Sequence, residues 1–318
     1  MREIKPFSDR TRLHSSDAPK RKYLLVFEGK DTEPRYFDMI DKRKIELGIN
    51  SLVELSQIIR NFPEEGWSHP KKIAEAIIKT LEIQSSGKYP YKNVLVWIAD
   101  YLYSNKLLTI NYKIIFEELQ ELCIKKLDIV LDEIIDYNNL STTIEYILNN
   151  YIPKRNALGI EDFAECAKSI IEDNNIVYDS KYDTLCLIVD RDQHSFKNEQ
   201  YDHVVKFCNE NQIKLFVSNP CFEFWLLLHF DDVTDISQVD LKENKKDKKH
   251  NGRTFAEREL RKRMPGYTKG SYDANKLFHK IPAAIENEKK YCEDVLGLKT
   301  EVGCNIGILL SEMRSTRS

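Results

Sequence analysis

Glu28, Asp190 and Asp192 are the residues whose types and spacing can do chemistry, because each sits where a short apolar run stops at a carboxylate. The runs are YLLVFEGKDTE, Tyr23 to Glu33, and LCLIVDRD, Leu185 to Asp192. Such runs read as buried strands of an open parallel sheet, whose binding crevice lies beyond the carboxyl ends of the strands. Carboxylates at i and i+2 on a continuing strand face one side, and a turn just after Asp190 still lets the pair converge on one cation while Arg191 faces elsewhere. Gly29 permits a tight turn after Glu28, and Pro34 suits the first turn of a helix starting near Thr32 or Glu33, so Glu28 and Glu33 share one strand-to-helix junction. A third apolar segment, SNPCFEFWLLLHF from Ser218 to Phe230, adds Glu223. In the first turn of a helix this acid reads equally as a partner of the helix dipole or as a metal ligand. Glu28, Glu33, Asp190, Asp192 and Glu223 together supply enough oxygens for one or two Mg²⁺ or Mn²⁺ ions, hard cations that stabilise the attacking and leaving oxygens of phosphodiester cleavage.

Other polar residues admit simpler roles. Residues 242–263 carry ten Lys or Arg against four Asp or Glu, while the chain as a whole has a net charge of −3. A segment of this kind is either a solvated charge run or a surface that neutralises phosphates, with Lys245, Lys246, Lys248, Lys249 and Arg253 as its nucleic-acid contacts. His194 either positions a phosphate or water or is a solvated loop residue. His229, spaced helically from Phe222, Trp225 and Leu226, reads as core, and Asp100, with no second acid after it, reads as structural.

The elements that must position these groups follow from period and punctuation. Residues 1–20 read as a polar, disordered arm. Strands are expected at 22–27, 51–59, 184–189 and 214–217, and helices at 33–46, 70–84 and 197–210, with Tyr36, Phe37, Ile40 and Ile45 facing inward on the first helix. Ser218 or Asn219 is expected to cap the helix after the last strand, with Pro220 at its first position. Ser85-Ser86-Gly87 and the turn at Tyr89-Pro90-Tyr91 announce a boundary. Beyond it, 94–98 reads as a strand or a helix start, and 114–135, 142–151 and 161–171 read as amphipathic helices. The result is an α/β domain over 21–90 and 179–318, with a mainly parallel sheet flanked by helices, interrupted by a mostly helical insertion at 91–178.

Composition fits a protein of the cytoplasm. No apolar run approaches the roughly 18 to 20 residues of a membrane span, and the first residues lack a signal-peptide core. The seven cysteines are scattered without a CxxC pair, which argues against a disulfide framework and a zinc module and makes Cys186 and Cys221 apolar fillers.

EGKDTEPRYF from Glu28 to Phe37, DRDQH from Asp190 to His194, SNPCFEFWLLLHF and the later PGYTKG from Pro265 to Gly270 together resemble RloB-like proteins. The resemblance covers residues 20 to 85 and 180 to 312. It implies a Toprim-type domain, related to the Toprim nucleases of the OLD family, in a metal-dependent nuclease of anti-phage defence that works beside an ATPase. Residue by residue, Glu28 takes the place of the Toprim glutamate, Asp190 and Asp192 that of the DxD pair, and Glu33 that of a second acid. Lys269, by its family position beside Gly270, is implied as a contact to phosphate or to the leaving oxygen. The chain departs from the family in a longer stretch between 86 and 180 and in EVGCNIGILL, which stands where a Ser/Thr-rich segment is expected. The expected activity is therefore cleavage of DNA or RNA, tRNA included, with a Mg²⁺- or Mn²⁺-binding site and an ATPase partner. The alternatives are a binding module for nucleic acid or for the ATPase that does not turn over, and a nucleotidyl or phosphoryl transferase. The chain has no GxxxxGKS-type phosphate loop to favour the last.

Overall fold

The structure, a computed structural model, describes residues 21–58, 70–154, 162–176 and 178–316. The expected arm at 1–20 lies outside these residues. Two compact units emerge, one within Glu75–Tyr178 and one built on the segments before residue 75 and after residue 178.

The chain opens with β1 (Arg21–Phe27), α1 (Thr32–Lys42), β2 (Val53–Ile58) and α2 (Pro70–Ser86). The helical unit adds β3 (Lys88–Pro90), α3 (Tyr91–Ser104), α4 (Tyr112–Lys126), β4 (Ile134–Asp136), α5 (Tyr137–Tyr151) and α6 (Phe163–Asn174). Its core is aliphatic, built around Val94, Leu95, Ile98, Ile115, Leu119, Ile144 and Ile147, and β3 pairs antiparallel with β4. The 94–98 run is thus helical. The single helix expected over 114–135 stops at Lys126, because Asp128 takes a left-handed conformation (φ 53°) that a right-handed helix cannot continue through. Asp100 is buried inside α3 rather than at a strand end.

In the sheet unit follow β5 (Thr184–Asp190), α7 (Asn198–Glu210), β6 (Lys214–Asn219), α8 (Phe222–Leu227), α9 (Gln238–Glu243), α10 (Phe255–Arg263), α11 (Asn275–Phe278), α12 (Ile281–Glu288), β7 (Gly303–Cys304) and α13 (Ile306–Ser315). The five strands run in the order β2-β1-β5-β6-β7, the first four parallel and β7 antiparallel to β6. Tyr23 to Phe27 and Leu185 to Val189 are all buried, as strands covered on both faces require. The order winds outward in opposite directions from β1 and β5, so these two adjacent strands mark the topological switch point, and a crevice opens beyond their carboxyl ends.

Two local expectations change. Ile45 is 61% exposed, because α1 ends at Lys42 and the following turns break the helical phase that would have carried it inward. Ser218 and Asn219 do not cap the next helix: they finish β6, a cis Asn219–Pro220 bond follows, and α8 starts at Phe222 behind Cys221. The Asn219 side chain instead donates to the Leu298 carbonyl at 2.8 Å.

Candidate acidic site

Glu28, Glu33, Asp190, Glu223 and Lys269 line one pocket of about 240 Å³ at the switch point, together with Gly29, Lys30, Asp31, Thr32 and Phe222. Glu28 follows β1 and Asp190 ends β5. The Asp190 N–H donates to Glu28 Oε2 at 3.1 Å, which ties the two strand ends together through a side chain. Asp190 Oδ1 accepts the Phe222 N–H at 2.8 Å, drawing the start of α8 to the same point. Glu33 reaches back from the first turn of α1 against Gly29. A side chain at residue 29 would place its Cβ 2.6 Å from Glu33 Oε1, so the missing Cβ makes room for the carboxylate.

Glu223, in the first turn of α8, is almost fully buried and accepts a hydrogen bond from the Tyr267 hydroxyl at 3.0 Å. Lys269 Nζ lies 3.2 Å from Glu223 and 3.8 Å from Glu257. The loop carrying Lys269 is fastened to α1: Arg35 donates to the Gly270 carbonyl at 2.6 Å and the Tyr272 hydroxyl to the Thr32 carbonyl at 2.8 Å. Glu257 is itself fixed by a reciprocal capping pair with Thr254 at the start of α10.

The electrostatics follow from four carboxylates in a small volume. Loss of solvent, then the charges of Glu33, Glu223 and Glu28, push Asp190 well above the usual carboxylate range, with Lys269 acting against them. Burial, opposed by backbone hydrogen bonding and reinforced by Glu223, raises Glu33 as well. Burial disfavours the Lys269 ammonium, but Glu223, Asp190 and Glu257 outweigh it and hold the lysine charged. The pocket is therefore an acidic cluster in which Lys269 is the cation set against the buried carboxylates, with Lys30 exposed at its edge.

The structure separates the DxD pair. Asp192 is exposed and does not line the pocket: Oδ1 accepts the His194 N–H at 3.0 Å and Oδ2 the Ser195 hydroxyl at 3.0 Å, so it caps the loop after β5. Arg191 is buried, donating to the Lys299 carbonyl at 3.0 Å, to the Asn198 side chain at 2.6 Å and to the Phe196 carbonyl. It faces away from the pocket and braces the same loop. His194 pairs with the Glu243 carbonyl at 3.1 Å. His229 lies in the core between Tyr36 and the Trp225 carbonyl, 3.1 Å from each, and burial lowers its pKa to about 3. Lys245, Lys246, Lys248 and Lys249 are exposed on the segment joining α9 to α10 and Arg253 is half-buried beside them; Lys245 pairs with Glu243 at 2.8 Å. Cys186 and Cys221 are buried free thiols.

Tyr267, Tyr272, Arg35 and Glu257 escaped the sequence reading. The two tyrosines flank Lys269 in GYTKGSY, and a pair of aromatics bracketing a glycine-rich turn is the signal that would have found them. Among the described residues, no three His, Cys, Asp or Glu side chains are drawn into a ready-made metal site. The donor chemistry fits a hard cation all the same, since five carboxylates line the pocket: Glu28, Asp31, Glu33, Asp190 and Glu223.

The family model described as RloB-like protein matches residues 23–313, nearly the whole chain. No curated protein and no solved structure matches it significantly. No helix among the described residues is long and apolar enough to cross a membrane.

Proposed function

Because the chain belongs to the RloB-like family, we propose that it is a metal-dependent nuclease of Toprim type, acting on DNA or RNA in anti-phage defence under the control of a partner ATPase. The observation that carries this reading is the convergence of Glu28, Glu33, Asp190 and Glu223 with Lys269 at the switch point of the sheet. Glu28 and Asp190 would hold Mg²⁺ or Mn²⁺, with Glu33 and Glu223 completing the oxygen set. When bound, such an ion supplies charge stabilisation at a phosphoryl oxygen and lowers the pKa of water. Glu33, whose proton affinity burial raises, suits the removal of a proton from the attacking water. Lys269 offers its charge to the phosphate or to the leaving oxygen. Asp192 joins this set only if the loop it caps rearranges. Lys245, Lys246, Lys248, Lys249 and Arg253 would hold the nucleic acid by its phosphates.

One observation favours a second reading, a binding module without turnover: Lys269 already answers part of the acidic charge, as an internal cation would in a site that needs no metal. Incubation of the full chain with plasmid, single-stranded DNA and total tRNA, with Mg²⁺ or Mn²⁺ and with or without a candidate partner ATPase, separates the two. Cleavage that is lost on chelation and in Glu28→Ala and Asp190→Ala supports the nuclease. Nucleic-acid binding without cleavage under every condition supports the module.

A further inference from the structure

A second pocket, of about 410 Å³, shares the loop around Tyr267 and Tyr272 with the acidic pocket and is also lined by Phe230, Leu277, Lys276 and Lys280. Its size falls in the range of small-ligand pockets, roughly 300–1,000 Å³. The hydroxyls of Tyr267 and Tyr272 are committed to Glu223 and to the Thr32 carbonyl, so at the cavity these residues count as apolar walls, their rings 5.4 Å apart. Lys280 Nζ stands 4.3 Å above the Phe230 ring. Neither Lys276 nor Lys280 has a carboxylate partner among the described residues. Arg263, also at the wall, differs: Asp232 holds it at 2.8 and 2.7 Å and Glu259 at 3.1 Å, so its charge is spent within the protein. Asp273, the lining acid, is turned to cap the Asn275 N–H at 3.1 Å.

Two exposed ammonium groups without a carboxylate partner at hydrogen-bond distance, beside aromatic and aliphatic surface, match a ligand with an anionic end and a flat apolar body. We propose that this cavity binds a nucleotide, its phosphate against Lys276 and Lys280 and its base against the wall of Tyr267, Tyr272 and Leu277. The nucleotide is either free or one unit of a single-stranded chain. The inference does not depend on cleavage at the acidic pocket, and its test is run without metal.

The test is calorimetric titration of the full chain in chelator with AMP, ATP, inorganic phosphate and a uridylate tetramer. Binding of AMP or ATP more tightly than phosphate supports a free-nucleotide site, and binding of the tetramer alone supports a site for a chain unit. In either case the double variant Lys276→Glu/Lys280→Glu, altered at two exposed positions, should melt as wild type and bind about tenfold more weakly or worse. Absence of binding to AMP, ATP and the tetramer alike, or equal binding by the double variant, overturns the proposal.

Discussion

Asp190 and Asp192 stand two residues apart and occupy different chemical settings. Asp190 gives one oxygen to the Phe222 N–H inside the acidic pocket, whereas both oxygens of Asp192 are taken by its own loop. A turn just after Asp190 is compatible with convergence, but the turn that follows β5 carries Asp192 away from the pocket, because the buried Arg191 guanidinium fastens it to the 196–198 segment and to Lys299. Asp190→Asn should keep the hydrogen bond to Phe222 and remove a carboxyl whose ionisation the buried acidic pocket opposes. The metal-free variant is therefore expected to melt higher than wild type by about 2 °C, while losing cleavage and the stabilisation by Mg²⁺. Asp192→Ala removes a cap, with an expected loss of roughly 0.5–2 kcal/mol and cleavage within about tenfold of wild type. Melting curves with and without Mg²⁺, paired with cleavage rates, check both. Loss of cleavage in Asp192→Ala at unchanged melting temperature would return Asp192 to the site.

The four parallel strands were the most legible elements, because a parallel strand buried on both faces leaves a continuous apolar run in the sequence, as in Tyr23 to Phe27 and Leu185 to Val189, whereas the short antiparallel strands β3, β4 and β7 leave no such run. Helix ends were less so. The phase of α1 is lost after Lys42, which exposes Ile45, and Asp128 cuts the predicted long helix with a backbone conformation that composition does not reveal. The acids of the site were legible because each closes an apolar run, but the loop that brings Lys269 and Tyr267 to Glu223 is held by contacts some forty residues or more apart in sequence, which no local pattern encodes.

Another long-range contact sets a measurable pH dependence. Glu288, the last residue of α12, accepts the Gly307 N–H at 2.9 Å and the Cys304 thiol at 2.9 Å on the same oxygen, tying α12 to β7 and to the start of α13. Its other oxygen is buried without a partner, and burial raises its pKa from 4.5 to about 7. A carboxyl with a raised folded pKa keeps its proton better when folded. Its contribution is fully present below the unfolded value and is lost as pH rises through about 7, to the order of 3 kcal/mol. Glu288→Gln, which cannot titrate, should flatten the fall in melting temperature between about pH 5 and pH 8. An identical fall in the variant would show that Glu288 is not the group responsible.

At the scale of the whole molecule, charge is distributed against its own average. The chain carries 51 acidic against 48 basic residues, yet the 242–263 segment is strongly basic and joins the same unit that holds the acidic pocket. An acidic pocket alone repels a phosphate chain, so the proposed nuclease activity requires a separate surface to hold the substrate. Lys246, Lys248 and Lys249 are exposed with no carboxylate partner among the described residues, whereas Lys245 is already paired with Glu243. Changing all four to Glu should therefore remove about three phosphate contacts rather than four, and the slope of log affinity against log salt should fall by roughly 2 to 3. Affinity should weaken alike for all sequences, since phosphate contacts carry no base information. Binding titrations of a duplex and a single strand at several salt concentrations read the slope, and an unchanged slope would make the segment a solvated charge run that takes no part in holding nucleic acid.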